Sequence, residues 1–253
     1  MKADLRLRLT GVGLLLPLAI AMFVGGVFAI FALLLISVFL AYELARLLGN
    51  SPKEQIFVVL LLVTPALMLF ADQSVSVSMA PLLLGVIALI YFKSLIAGLY
   101  AASLALCFCA FIAFILIPEF HILLLATGVV ISAVDSGAYI VGRKIGGQKL
   151  VPKISPNKTV SGAIGGLCFG ILAGSMLFPI LGMKLGAGIF VSFIISVIAQ
   201  VGDIFESALK RELNVKDSSS IIPGHGGFLD RFDGYILVIP LLTGANIFVG
   251  TFS

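Results

Sequence analysis

The stretch Ser207–Asp233 sets Lys210, Arg211, Glu212, Lys216, Asp217, His225, Asp230, Arg231 and Asp233 between two long apolar runs. Asp203 and Glu206 lie just upstream, and Asp135 sits in a third apolar run, ISAVDSGAYIVGRK. Charge beside or inside a membrane helix is costly and marks function. As helices, these segments put Asp230 and Asp233 on one face at i, i+3, and Asp135 on one face with Tyr139 and Arg143. Hard carboxylate oxygens without a His/Cys cluster suit Mg²⁺ better than zinc. Mg²⁺ commonly keeps one or two carboxylates and takes phosphate oxygens for the rest. The plainer alternative is a set of intramembrane ion pairs, such as Glu206 with Lys210.

Two polar loops supply the opposite charge. Residues 144–159, KIGGQKLVPKISPNKT, bring Lys144, Lys149, Lys153 and Lys158, with the Ser155 and Thr159 hydroxyls near the next helix. Free N–H groups at a helix start, hydroxyls and lysines together make a phosphate site. Residues 213–227 add Lys216, Asp217 and PGHGG, whose Gly224, Gly226 and Gly227 let backbone N–H groups approach a ligand. Any single loop lysine also reads as a solvated charge, and His225 as a base, a phosphate ligand or a structural loop residue. Cations for phosphates and carboxylates for a metal point jointly to phosphoryl or nucleotidyl transfer.

These residues must be positioned by membrane helices. The 253 residues are 60% hydrophobic and 11% charged, against roughly 25% charged in a soluble domain. A bilayer core of about 30 Å takes about 20 helical residues. Breaks at Gly, Pro and charge then predict nine helices, at roughly 9–24, 26–48, 54–71, 76–93, 95–117, 120–143, 160–182, 186–212 and 228–250; merging the first two across Gly25-Gly26 would give eight. The N-terminal apolar run continues past Gly26 and reads as a retained span. With a cytoplasmic N-terminus, every Lys and Arg except Lys184 falls on the inner side, as the positive-inside bias requires. The expected location is therefore a bacterial-type inner (cytoplasmic) membrane, with both polar loops in the cytoplasm.

The net charge of +4 follows from that topology and favours anionic membrane lipids. The cations lack interleaved aromatics, so no nucleic-acid partner is expected. Cys107, Cys109 and Cys168 sit in apolar runs and read as packing residues. No inverted repeat of the transporter kind is present. Counting 1.5 Å per residue, Asp135 lies about 12 Å in from Arg143 and Asp203 about 10 Å in from Lys210. The expected fold class is an all-α polytopic integral membrane protein of about nine transmembrane helices, with a polar cavity facing the cytoplasm. Residues 1–253 read as one membrane-embedded catalytic domain, with N-terminal helices at about 9–117 and catalytic helices and loops at about 120–250.

The run Ser207-x-Leu209-Lys210-Arg211-x₄-Lys216-Asp217-x-Ser219-x₂-Ile222-Pro223-x-His225-Gly226-Gly227-Phe228-x-Asp230-Arg231-Phe232-Asp233 resembles the signature of the CDP-diacylglycerol synthases, or phosphatidate cytidylyltransferases. Asp135 to Lys144 and the Ser155-Pro156-x-Lys158-Thr159 run resemble that family too. Asn157 and Ser161 depart from it, standing where Lys and Glu are frequent. The resemblance implies that CTP and phosphatidate give CDP-diacylglycerol and pyrophosphate with Mg²⁺, a second cation being left open. It implies catalytic roles for Asp203, Asp230, Lys210, Lys216, Asp217 and His225. Substrate binding would fall to Asp135, Ser155, Lys158, Thr159, Ser207, Arg211, Gly226, Gly227 and Arg231, and the metal to Asp203, Asp230 and then Asp233. Asp230→Asn is expected to stop turnover without unfolding the protein, because its cavity is expected to be water-filled. A homodimer is compatible with the resemblance, although the glycine face of Gly162, Gly165, Gly166 and Gly170 would serve equally inside one subunit. A CTP-dependent polyprenol or phytol kinase and a cation-coupled transporter are the competing readings.

Overall fold

The computed structural model describes residues 13, 16–48, 87, 94–116, 120–222 and 226–250. Its elements are α1 (Gly26–Leu48), α2 (Leu95–Leu116), α3 (Phe120–Ile145), β1 (Lys149–Val151), β2 (Ser155–Thr159), α4 (Val160–Ile180), α5 (Leu185–Glu212) and α6 (Leu229–Gly250). Residues 16–24 are also helical. They join α1 at Gly25 and Gly26, whose φ of 76° and 56° is a left-handed geometry that only glycine adopts cheaply. Expected spans 54–71 and 76–93 lie outside the described residues. Gly26–Leu48, Ile122–Ile145, Val160–Ile180 and Leu185–Glu212 are long and apolar enough to cross a membrane. In lipid a helix satisfies its own backbone, which is why such apolar runs fold this way.

The all-α expectation needs one correction. The loop after α3 folds as an antiparallel hairpin, with Lys149 opposite Thr159 and Val151 opposite Ser155. Gly146 and Gly147, at φ 65° and 97°, end α3 in the manner of left-handed helix caps. Pro152 then occupies the turn closed by Ile154 N–H donating to Val151 C=O at 3.1 Å. Pro favours that turn position because its φ is already set. Thr159 ends β2 and caps α4, its hydroxyl accepting from Gly162 N–H at 3.1 Å.

By contacts the chain divides into two compact units. One comprises Met1–His121, Leu209–Phe232 and Ile239–Ser253, the other Ile122–Ala208 and Asp233–Val238. The signature loop therefore belongs with the N-terminal helices. In that first unit the buried Phe228 ring stacks on Phe39 of α1 at 4.6 Å between centroids.

The second unit is held by small residues. A Cβ at Gly166 would lie 2.8 Å from the Val134 carbonyl oxygen of α3. At Gly170 it would meet the Ser196 hydroxyl of α5. The glycine face of α4 is thus spent on packing within the chain.

Candidate active site

In the second unit, α5 carries Asp203 and Glu206, α3 carries Asp135, and Asp233 falls in the first turns of α6. Glu206, Asp203 and Asp135 lie within electrostatic range of Asp233. The approach depends on Gly202, where a Cβ would stand 2.6 Å from the Asp233 carbonyl oxygen. Lys158, projecting from β2, answers these acids. Its ammonium lies 2.5 Å from Asp203, with both side chains part-exposed at 25% and 33%. Ser161 donates to the Gly146 carbonyl at 2.5 Å and shares a 3.1 Å hydrogen bond with Thr159. The residue that departs from the family pattern thus ties the hairpin back to the end of α3.

This donor set consists of carboxylate oxygens, which fits a hard divalent cation. Among the described residues, no group of three or more His, Cys, Asp or Glu forms a metal cage. A cation taking one or two carboxylates and completing its shell with phosphate oxygens does not need one. Asp203 and Asp233 are the carboxylates of this unit that the sequence reading assigned to a metal, and Asp203 is paired here with Lys158.

Asp230 belongs to the first unit and is differently occupied. Its side chain is 8% exposed and pairs with Lys210 at 2.6 Å. It also accepts from Gly227 N–H at 2.8 Å, Ser218 N–H at 3.0 Å and the Ser218 hydroxyl at 3.0 Å. Its oxygens are taken up by these partners, and to ligate a metal Asp230 would have to release some of them. Gly227 is likewise enclosed rather than open to a ligand: a Cβ there would meet Ser218 and both carboxylate oxygens of Glu43.

The other expected residues differ in exposure. Arg211, Lys216, Asp217 and Arg231 are exposed, and Ser155 and Ser207 are half-buried. Arg211 donates to the Val215 carbonyl at 3.1 Å. Gly226 is half-buried and its carbonyl accepts from Ile222 N–H at 2.8 Å. His225 lies outside the described residues. Tyr139 and Arg143 form an exposed pair, guanidinium to hydroxyl, at 2.7 Å.

Glu43 is the residue the sequence reading overlooked. It is fully buried in the last turns of α1. It accepts from the Ser218 hydroxyl at 3.0 Å, the Ser219 hydroxyl at 2.5 Å, and the N–H groups of Phe228 and Leu229, each at 2.8 Å. A signal existed, since Glu43 is the one carboxylate in GVFAIFALLLISVFLAYELARLL. Arg46, three residues on, offered an ordinary surface ion pair as explanation.

The long apolar helices mark a membrane protein, and in its second unit a lysine faces a group of carboxylates. The model of the cytidylyltransferase family matches residues 6–248, and the chain belongs to that family. Among its relatives is the phosphatidate cytidylyltransferase of Bacillus subtilis, 47% identical over 119 residues, which are 45% of this chain and 43% of the relative. The protein of the same name from Staphylococcus haemolyticus is 51% identical over 110 residues, 43% of this chain and 42% of the relative. The one from Staphylococcus aureus is 49% identical over the same length and shares. The matched segments thus span less than half the length of these relatives.

Proposed function

We propose that this chain transfers the cytidylyl group of CTP to phosphatidate, giving CDP-diacylglycerol and pyrophosphate at the cytoplasmic face of the membrane. The observation that carries the reading is Lys158 against Asp203, beside Glu206, Asp233 and Asp135. Triphosphate oxygens and a divalent cation would both find partners there. The relatives' shared name supplies the substrates. In this reaction a phosphate oxygen of phosphatidate attacks the α-phosphorus of CTP, and the bond to the β-phosphate bridging oxygen breaks. Mg²⁺, when bound by Asp203 and Asp233, would neutralise charge on the triphosphate. Lys158 would hold phosphate oxygens in line, Thr159 would fix the hairpin that presents it, and Lys210, Lys216, Arg211 and Arg231 would meet phosphates of either substrate. Positioning and charge stabilisation carry most of the rate in such transfers.

The test is purified protein in phosphatidate-containing vesicles with CTP and Mg²⁺. The expected products are CDP-diacylglycerol and pyrophosphate, with activity lost to EDTA and restored by Mg²⁺. Release of CDP with a phosphorylated alcohol would assign the chain to the kinase reading instead.

A further inference from the structure

The structure assigns Glu43 as a positioning residue that holds the signature loop, and through it Asp230 and Lys210, in working geometry. The assignment of a catalytic consequence rests on the function proposed above. A carboxylate offers about four acceptor positions, and Glu43 faces two hydroxyls and two backbone N–H groups, with the Ser218 proton contested by Asp230. The N–H groups belong to Phe228 and Leu229 at the start of α6, where a helix has unsatisfied donors and a partial positive charge. The hydroxyls belong to the far side of the same loop. One buried anion therefore pins both ends of residues 218–229.

The hold extends further through Ser218. Its hydroxyl lies 3.0 Å from Glu43 and 3.0 Å from Asp230, yet it has a single proton to donate. Its own N–H is committed to Asp230 at 3.0 Å, and Asp230 in turn holds Lys210 at 2.6 Å. Glu43, Ser218, Asp230 and Lys210 form one chain of contacts within one unit. Gln at 43 would turn an amide N–H₂ toward two of these donors, one hydroxyl and one backbone N–H, whichever oxygen it replaces. Ser218 can rotate to accept from it, but a backbone N–H of Phe228 or Leu229 cannot.

The experiment uses the full chain in phosphatidate vesicles, comparing Glu43→Gln, Ser218→Ala, Ser219→Ala and the Glu43→Gln/Ser218→Ala double variant. Two readouts are taken: steady-state turnover per folded molecule, and hydrogen exchange at residues 227–230. Glu43→Gln is expected to lower kcat by on the order of 10- to 100-fold, the weight of one or two hydrogen bonds to a charged group. It should also speed exchange at Phe228 and Leu229. The double variant should lose no more than the more severe single, since both act through one network. Normal kcat per folded molecule in Glu43→Gln, or fully additive losses in the double variant, overturns the assignment and leaves Glu43 a fold-stabilising residue. If Glu43→Gln fails to fold, Ser219→Ala decides alone, with unchanged exchange and kcat counting against the assignment. Exchange is read without substrate. Released amides in a wild-type background inactive on CTP and phosphatidate would therefore sink the substrate reading and spare the positioning role.

Discussion

Lys158 and Asp230 carry the sharpest predictions for single side chains. Lys158→Ala removes the cation facing Asp203 and is expected to lower kcat/KM for CTP by on the order of 10²–10³, the scale of losing one charge-stabilising donor. A rate assay at fixed Mg²⁺ checks it. Asp230→Asn leaves Lys210 without its carboxylate in a site where the two side chains are 12% and 8% exposed. Loss of a hydrogen-bonded charge partner costs about 1.5–3 kcal/mol, so the variant should show a lowered Tm in detergent as well as lost turnover. That differs from the reading of the sequence alone, in which only turnover suffers. Residue types and helical spacing put Asp203, Asp233 and Lys158 forward as candidates, and read Glu206 as an ion pair with Lys210. They could not reveal that Asp230 spends its oxygens on a loop, because that depends on where Ser218 and Gly227 fold.

Among the elements, the contact of α5 with the start of α6 is the one to perturb. Gly202→Ala puts a methyl group 2.6 Å from the Asp233 carbonyl oxygen, and backbone cannot move aside cheaply. Overpacking of this kind costs about 1–3 kcal/mol, and it would move Asp233 away from Asp203. Expected results are a lower Tm and a weaker apparent Mg²⁺ affinity, read from activity against Mg²⁺ concentration. The helices that are described were legible: α1 runs Gly26–Leu48, where hydropathy and the Gly25-Gly26 break put it. The hairpin was not. Its strands are three and five residues long, and its sequence of lysines, prolines and serine lacks the alternating apolar pattern that marks a strand. It forms because Gly146 and Gly147 end one helix and Thr159 begins the next.

For the molecule as a whole, the proposed orientation puts Lys153 inside and Lys184 outside. With the native cysteines replaced, a cysteine at 153 should resist a membrane-impermeant thiol reagent in intact cells, and one at 184 should react. The reverse pattern would invert the topology. The charge bias of the loops is what suggests this orientation; nothing comparable in the sequence marks the grouping of Leu209–Phe232 with the N-terminal helices. It depends on Glu43, whose partners Ser218 and Leu229 lie 175 and 186 positions away. That separation has a consequence in time. At roughly 5–20 residues per second of synthesis, α1 waits on the order of ten to thirty seconds before Ser218 exists. Throughout that interval a carboxylate destined for burial has none of the four donors that finally hold it. Ribosomes stalled before residue 218 should therefore leave a nascent chain whose first helices are inserted but unsettled, a ready substrate for membrane proteases until the last helix arrives.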